Sequence, residues 1–533
     1  MKSRFPSLTP RSPFVRILSW FVLAAALVPV SCSLFGGGVR PNLLVITVDS
    51  LRFDALSRSL GAPATPHLQA LEAEGQHFTH CYSHSPVALP AHVALFSARL
   101  PHQSGVIGNG MPIDPEVTLL AEWMKSRGYS TAAAVSLASL WPPRAEDLSS
   151  PNANRHGPTG LERGFGSYAT GDHEIAPASE VNARLLAQLD ALPADQPWFL
   201  FAQYSEPRAP YEARTGTETR ARVRLDGKDI DQVVVSESGQ WRRELELGPG
   251  VHELVLLCDA PIEVLRFDCH GPKERIPERF AKGRAHEAAK RIVIALENTT
   301  SEPVACTIDA WIHDVPDVAQ ARSRYRGEVE AVDAAVGELV KGLRERGVYD
   351  NTLIVFTADH GEALGEHGYI GHGQGLYDEV LRVPLIVKPQ RGCGGFQALS
   401  KLEHAPFRQM DIVPTALDLM GLRSLPGAEG VSLLAQSDRT HFAEIHPPEA
   451  PNSILCRRDE RYKLVFTSGI ERWELYDVTA DTLEVDNVFE MQGHFRATWQ
   501  SELRQLALNS PQAANARMGM TSKRPEHLKA LGY

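Results

Sequence analysis

Runs of unbroken apolar, β-branched residues alternate along the chain with stretches of helical periodicity. Asn42–Val48 reads NLLVITV and ends in Asp49, the pattern of a strand buried on both faces. Trp198–Gln203 and Leu353–Thr357 repeat it, and the latter runs into Ala358-Asp359-His360. From Tyr325 to Arg346 the apolar positions Val329, Val332, Val336, Leu339 and Leu343 fall at three- and four-residue steps, which predicts a helix with one greasy stripe. Strands alternating with helices predict an α/β fold with a mostly parallel sheet covered on both faces. The texture changes over 215–312, where Ala221–Leu225, Trp241–Leu247 and Val251–Leu257 alternate between turns at Asp226-Gly227 and Gly248-Pro249-Gly250. That stretch reads as an inserted β-sandwich-like region. The last section, 399–533, carries a helix-like Met410–Leu422 and strand candidates at Tyr462–Phe466 and Trp473–Val478, a small α+β subdomain.

A chain of 533 residues exceeds the ~250–300 at which one core stops growing, so several units are expected: core segments 40–214 and 313–398, the insert 215–312 and the C-terminal subdomain 399–533. A net charge of −11 argues against a nucleic-acid partner, which calls for a basic field. At the N-terminus, Lys2, Arg4, Arg11 and Arg16 precede an apolar run from Ile17 to Val30, the layout of an export signal over 1–32. The run is shorter than the ~18 residues of a membrane span. Cys32 sits where a bacterial lipoprotein would carry its lipid, so periplasmic, membrane-anchored and secreted fates stay open. The seven cysteines show no zinc-type spacing; a bond from Cys258 to Cys269 or Cys306 is the expected pairing in an exported protein.

The chemistry gathers at strand ends. In open α/β sheets ligands bind beyond the carboxyl ends of the strands. Asp49 and Asp359-His360 both follow buried strands directly, which points to one divalent cation held by two carboxylates and an imidazole. The run TADHGEALGEHGYIGHGQGLYDEVLRVPLIVKP (Thr357–Pro389) and the opening TVDSLRFDAL resemble the metal- and substrate-binding stretches of the sulfatases. Asp411–Leu419, Tyr462–Leu464, Glu474–Asp477 and the terminal LKALGY are also similar. The resemblance implies an alkaline-phosphatase-like fold and hydrolysis of sulfate esters. It implies that Asp49, Asp359 and His360 bind the metal, with His372, Arg208 and His92 in the catalytic set. It also places Arg208, His372 and Lys388 against the substrate, a sulfated or phosphorylated small molecule or glycan. The family suggests Ca²⁺; an imidazole ligand such as His360 equally suits Mn²⁺ or Zn²⁺.

The chain departs from that pattern where the family keeps its nucleophile. SPVALPAHVALFSARL (Ser85–Leu100), aligned on Pro90 and His92, puts Ala88 in the attacking position and Ala91 where Ser belongs. A methyl group cannot attack sulfur. Arg208 stands where relatives often have His, and Ser50 replaces a second acidic ligand. Three readings follow: a sulfate-ester hydrolase using a metal-bound water, a non-catalytic binder of sulfated or phosphorylated ligands, and a phosphodiester or phosphonate hydrolase.

Overall fold

The computed structural model describes residues 40–509 apart from 57–62, 143–158, 172–175, 208–218, 236–237, 271–277, 283–288, 315–317, 436, 438, 447–451 and 493–496. The expected leader with Cys32, and Arg208, lie outside the described residues. An eight-stranded sheet forms the centre. Its first five strands along the chain are β1 (Asn42–Val48), β2 (Gln76–Tyr82), β3 (Ser130–Val135), β4 (Ser167–Thr170) and β5 (Trp198–Tyr204). Across the sheet the order is Phe407–Arg408, β2, Arg382–Lys388, Thr352–Ala358, β1, β5, β3, β4. β1 runs parallel to Thr352–Ala358 and to β5, whereas Arg382–Lys388 is antiparallel to both its neighbours.

All seven residues of β1 and all seven of Thr352–Ala358 are buried, which is why both read as unbroken apolar runs rather than alternating ones. The long helix spans Val318–Glu345, starting seven residues before the predicted Tyr325. Its stripe Val329, Val332, Val336, Leu339 and Leu343 is fully buried in the main core. The helix expected over Met410–Leu422 is shorter, Ile412–Leu419, after a tight turn at Gln409–Asp411. Among the described residues no helix is long and apolar enough to cross a membrane.

Between β5 and the long helix, the strands from Thr219–Leu225 to Val304–Asp314 form a separate seven-stranded antiparallel sheet with its own core, including Val223, Leu254, Leu256, Ile294 and Ile308. Gly250–His270 is long enough to pair with one set of strands through its first half and another through its second. That geometry corrects the expected disulfide. Cys258 faces Ala221 in the first half, Cys269 pairs opposite Ile308 in the second, and Cys269 instead comes within hydrogen-bonding reach of the Cys306 thiol.

The C-terminal subdomain is a four-stranded antiparallel sheet (His441–Ile445, Ile454–Arg458, Tyr462–Thr467, Arg472–Asp477) with the helix Ala497–Asn509 over one face. Its other face packs Ala443, Cys456, Val465 and Tyr476 against Tyr369, Leu376, Val380 and Leu381. A buried ion cluster adds to this: Asp378 binds Arg458 at 2.6 Å and Lys463 at 3.0 Å, and Lys463 reaches Glu484 at 2.8 Å. The segment held in this way carries His372.

Candidate metal centre and active site

Register brings the strand-end acids together. Val48 pairs with Ala358, so the next residues, Asp49 and Asp359, leave adjacent strands at the same edge. Each continues the ladder by one bond, Asp49 N–H to the Tyr204 carbonyl at 2.9 Å and Asp359 N–H to that of Val48 at 3.3 Å. The His360 imidazole places Nδ1 against the Gly361 carbonyl at 2.9 Å, which turns Nε2 toward both acids: 3.6 Å from Asp49 Oδ1 and 3.7 Å from Asp359 Oδ2. One ligand atom from each of the three residues lies within 4.8 Å of the others. All three side chains are 0–1 % exposed. Donors spaced in this way can share one point at about 2.0–2.6 Å from each, the bonding range of divalent ions. Two carboxylates in a dry site also repel each other, and a cation removes that cost. The donor set fits one divalent metal ion.

The turn behind Asp49 is braced. Ser50 is buried and adopts a left-handed φ of 60°, a conformation that costs a non-glycine residue free energy. Its N–H donates to Asp359 Oδ1 at 3.2 Å and its hydroxyl donates to Asp49 Oδ1 at 3.2 Å. The Tyr325 hydroxyl donates to the Ser50 carbonyl at 2.9 Å and accepts from Arg52 N–H at 2.8 Å. The Arg52 guanidinium donates to the Glu362 carbonyl at 2.8 Å and pairs with Asp54 and Glu366. On the second segment Gly361 is required by space, since a Cβ there would sit 2.2 Å from the Glu379 carbonyl oxygen.

His372 stands beside the cage, its ring centroid 4.4 Å from that of His360. Its Nδ1 lies 3.2 and 3.4 Å from the two Glu362 carboxylate oxygens and 3.5 Å from Ser50 Oγ. Glu362 is fully buried, whereas His372 is 12 % exposed. Neither the Glu362 carboxylate nor the Ser50 hydroxyl was singled out as a site residue in the sequence. The pointers were their places, one directly after Asp49 and the other two residues beyond His360.

On the other side lies the helix Ala88–Ser97, every residue of it buried. Ala88 is its first residue. His92, one turn on, donates from Nδ1 to the Ala88 carbonyl at 2.8 Å, which leaves Nε2 of the neutral ring to accept from the Thr47 hydroxyl at 2.9 Å. The same Nδ1 is 3.7 Å from Asp359 Oδ2, so His92 spans from position 88 to the cage. Burial pushes the His92 imidazole down to about 4, leaving it neutral at pH 7. Ser97 spends its hydroxyl on the Val93 carbonyl at the far end of the helix.

Lys388 is not brought to this site. It closes the antiparallel strand Arg382–Lys388 and pairs at the level of Ile354, near the start of Thr352–Ala358, whereas Asp359 follows that strand's end. Its ammonium donates to the carbonyls of Tyr349 and Thr352 at 2.8 and 3.1 Å. The reversed strand direction carries it away from the ligand, and the expected substrate contact is withdrawn.

A family model described as Sulfatase matches residues 41–422, and a second, N-sulphoglucosamine sulphohydrolase, C-terminal, matches 365–509. The chain belongs to the sulfatase family. It is 22 % identical over 506 residues to an N-acetylglucosamine-6-O-sulfatase of Bacteroides thetaiotaomicron, covering 88 % of this chain and 85 % of that one. A choline-sulfatase of Rhizobium meliloti is 23 % identical over 490 residues, covering 85 % and 83 %. Among solved structures, a phosphonate monoester hydrolase of Agrobacterium radiobacter superposes with a TM-score of 0.58 at 19 % identity, over 88 % of this chain and 95 % of that one. This sulfatase-family chain thus has the alkaline-phosphatase-like α/β fold, with three extra antiparallel sheets of seven, two and four strands among the described residues.

Proposed function

We propose that this protein is an exported, metal-dependent hydrolase of sulfate esters carried by a small molecule or glycan. The observation that carries the reading is the buried triangle of Asp49, Asp359 and His360 with the partly exposed His372 beside it. A protein that only had to fold would gain nothing from two acids pressed together out of water. A bound divalent ion, Ca²⁺ by family or Mn²⁺ or Zn²⁺ by virtue of His360, supplies charge neutralisation and polarises a sulfuryl oxygen. Asp49 and Asp359 supply the negative donors, His360 the imidazole, and Ser50 and Tyr325 hold the turn in place. Arg208 is assigned to hold the sulfate by paired hydrogen bonds, on the strength of its motif position. The basic-then-apolar leader supports export, and Cys32 a lipid anchor.

Ala88 favours a second reading, a sulfatase-like protein that binds a sulfated or phosphorylated ligand without turning it over. A third, phosphodiester or phosphonate hydrolysis, rests on the Asp359-His360 pair and on likeness to a phosphonate hydrolase. One assay separates them. Purified protein is given aryl sulfates and phosphodiesters with Ca²⁺, Mn²⁺ or Zn²⁺, beside Ala88→Thr and Asp359→Ala. Sulfate release by the native chain that Asp359→Ala abolishes is the expected result. Release by Ala88→Thr alone would establish the binding reading, and preference for the phosphodiester the third.

A further inference from the structure

Two thiols meet inside the inserted sheet. Cys269 lies opposite Ile308 on the antiparallel strand Val304–Asp314, so Cys306, two residues earlier, stands on the same face one step along. Both side chains are buried in the insert's own core, with Leu254, Ile294 and Ile308. There the thiols share a hydrogen bond, which holds the Cys306 thiol below its usual value against the opposing effect of burial. His252 adds to this. Its Nδ1 meets the Asp226 carboxylate at 2.7 Å and its Nε2 the Gly248 carbonyl at 2.8 Å; both partners accept, so the ring carries two protons and a positive charge. That charge favours the Cys306 thiolate. Cys258 lies eleven residues back from Cys269 along Gly250–His270, and at about 3.3 Å per residue the strand keeps the two far apart.

Resting on the export reading above for an oxidising setting, we propose that Cys269 and Cys306 form a disulfide that staples the second half of Gly250–His270 to Val304–Asp314. The Cys306 thiolate attacks one sulfur of a disulfide donor, such as oxidised glutathione, and displaces one donor thiolate. Cys269 then gives up its proton and attacks the Cys306 sulfur of the mixed disulfide, which displaces the second. Two protein thiols and one donor disulfide become one protein disulfide and two donor thiols, each proton passing to a departing thiolate. The bond closes the loop 270–305 in the unfolded chain, and the entropy lost there favours the folded insert. The insert's core is small beside that of the main sheet, and small units in oxidising compartments gain most from such a staple.

The test treats the full purified chain with oxidised glutathione, alkylates the remaining thiols and digests it without reductant. Tryptic cuts after Arg266 and Arg291 put Cys258, Cys269 and Cys306 on three separate peptides. A linked pair carrying Cys269 and Cys306 is expected, in the native chain and equally in Cys258→Ala. Alkylation of both thiols, or linkage of either one to Cys258, overturns the proposal. Amide exchange across 262–270 and 304–314 should slow at least about tenfold on oxidation of the native chain, and should not slow in Cys306→Ala. Equal exchange in the oxidised and reduced native chain overturns the staple. The chain recovered from the periplasm of a bacterial host, its thiols blocked at lysis, should already carry the bond; both thiols alkylated in that sample overturn the proposal. A chain found in the cytoplasm with its leader attached overturns the export reading instead, and the glutathione result on the purified chain still decides the pairing.

Discussion

The two sides of the site are equally dry and chemically opposite. On the strand side, Asp49, Asp359, His360 and Glu362 are all buried and polar or charged. On the helix side, Ala88, Leu89, Ala91 and Val93 are buried and inert, and the lone imidazole among them, His92, is held neutral. Packing alone accounts for the helix side. It does not account for the strand side, where each buried ion costs several kcal/mol unless something compensates it. The difference marks the strand ends as the place that fits a cation and leaves the helix start, at Ala88, without a side chain able to attack.

The largest effect should come from breaking the strand side. Asp359→Ala removes one of two negative donors and should weaken divalent-metal binding by more than about 100-fold, the upper range for even an outer-shell change. Calorimetry measures it directly. Thermal unfolding gives an independent view, because metal at 100 times its Kd adds about 2.7 kcal/mol to the native state and should add less than about 0.4 kcal/mol in Asp359→Ala. The same titration on Ala88→Ser should leave affinity within a few-fold of the native chain. Were the two variants to behave alike, the contrast between the sides would be gone.

The backbone at the strand side offers the next test. Gly361 passes so close to Glu379 that an added methyl must displace main chain, not a flexible side chain. Gly361→Ala should cost about 1–3 kcal/mol of stability, the usual range for overpacking. It should also weaken metal binding, since the displacement acts between His360 and Glu362. A variant that melts like the native chain would show that the Gly361–Glu379 approach is looser than the geometry states.

Much of this was written in the amino-acid order, and the reasons for the rest are specific. Asp49 and Asp359 could be placed because buried parallel strands show as continuous apolar runs, and the residue after each run must lie at the ligand-binding edge. His360 followed from adjacency. The helix side was readable in part: Pro90 and His92 set the alignment that put Ala88 in the attacking position, and the structure makes Ala88 the first residue of a helix. Lys388 was misplaced because sequence carries no sign of strand direction: Arg382–Lys388 turns back, and its last residue ends up at the wrong edge. Glu362 and Ser50 were passed over as site residues for another reason. Their roles depend on which neighbour each oxygen faces, and side-chain direction in a turn such as that at Ser50 has no periodic signature.

The smallest effect tests how the helix side is fastened without a metal. After Ala88–Ser97 the chain enters Pro101–Ser104, where His102 binds Glu444 Oε1 through its N–H and its ring at 2.8 Å each. His446 takes the other Glu444 oxygen at 2.7 Å, and Glu444 N–H donates to the His84 carbonyl at 3.0 Å. Burial by itself would raise the Glu444 carboxyl, but the hydrogen bonds from His102 and His446 outweigh it and hold it down to about 2. For His102, burial would lower the imidazole; its bond to Glu444 outweighs that and raises it above its usual value. The signs set a window. Glu444 contributes stability above its unfolded value near 4.5, lost as pH falls toward about 2, and His102 contributes below about 6.5, lost as pH climbs through its raised value. Glu444→Gln should therefore cost most near pH 5.5, about 1 kcal/mol after allowing for the partly exposed His102, and less at pH 9. Melting curves of both proteins at the two pH values measure this. Metal should not change the difference, because this latch belongs to the helix side; a metal-dependent gap would mean that the two sides are energetically one.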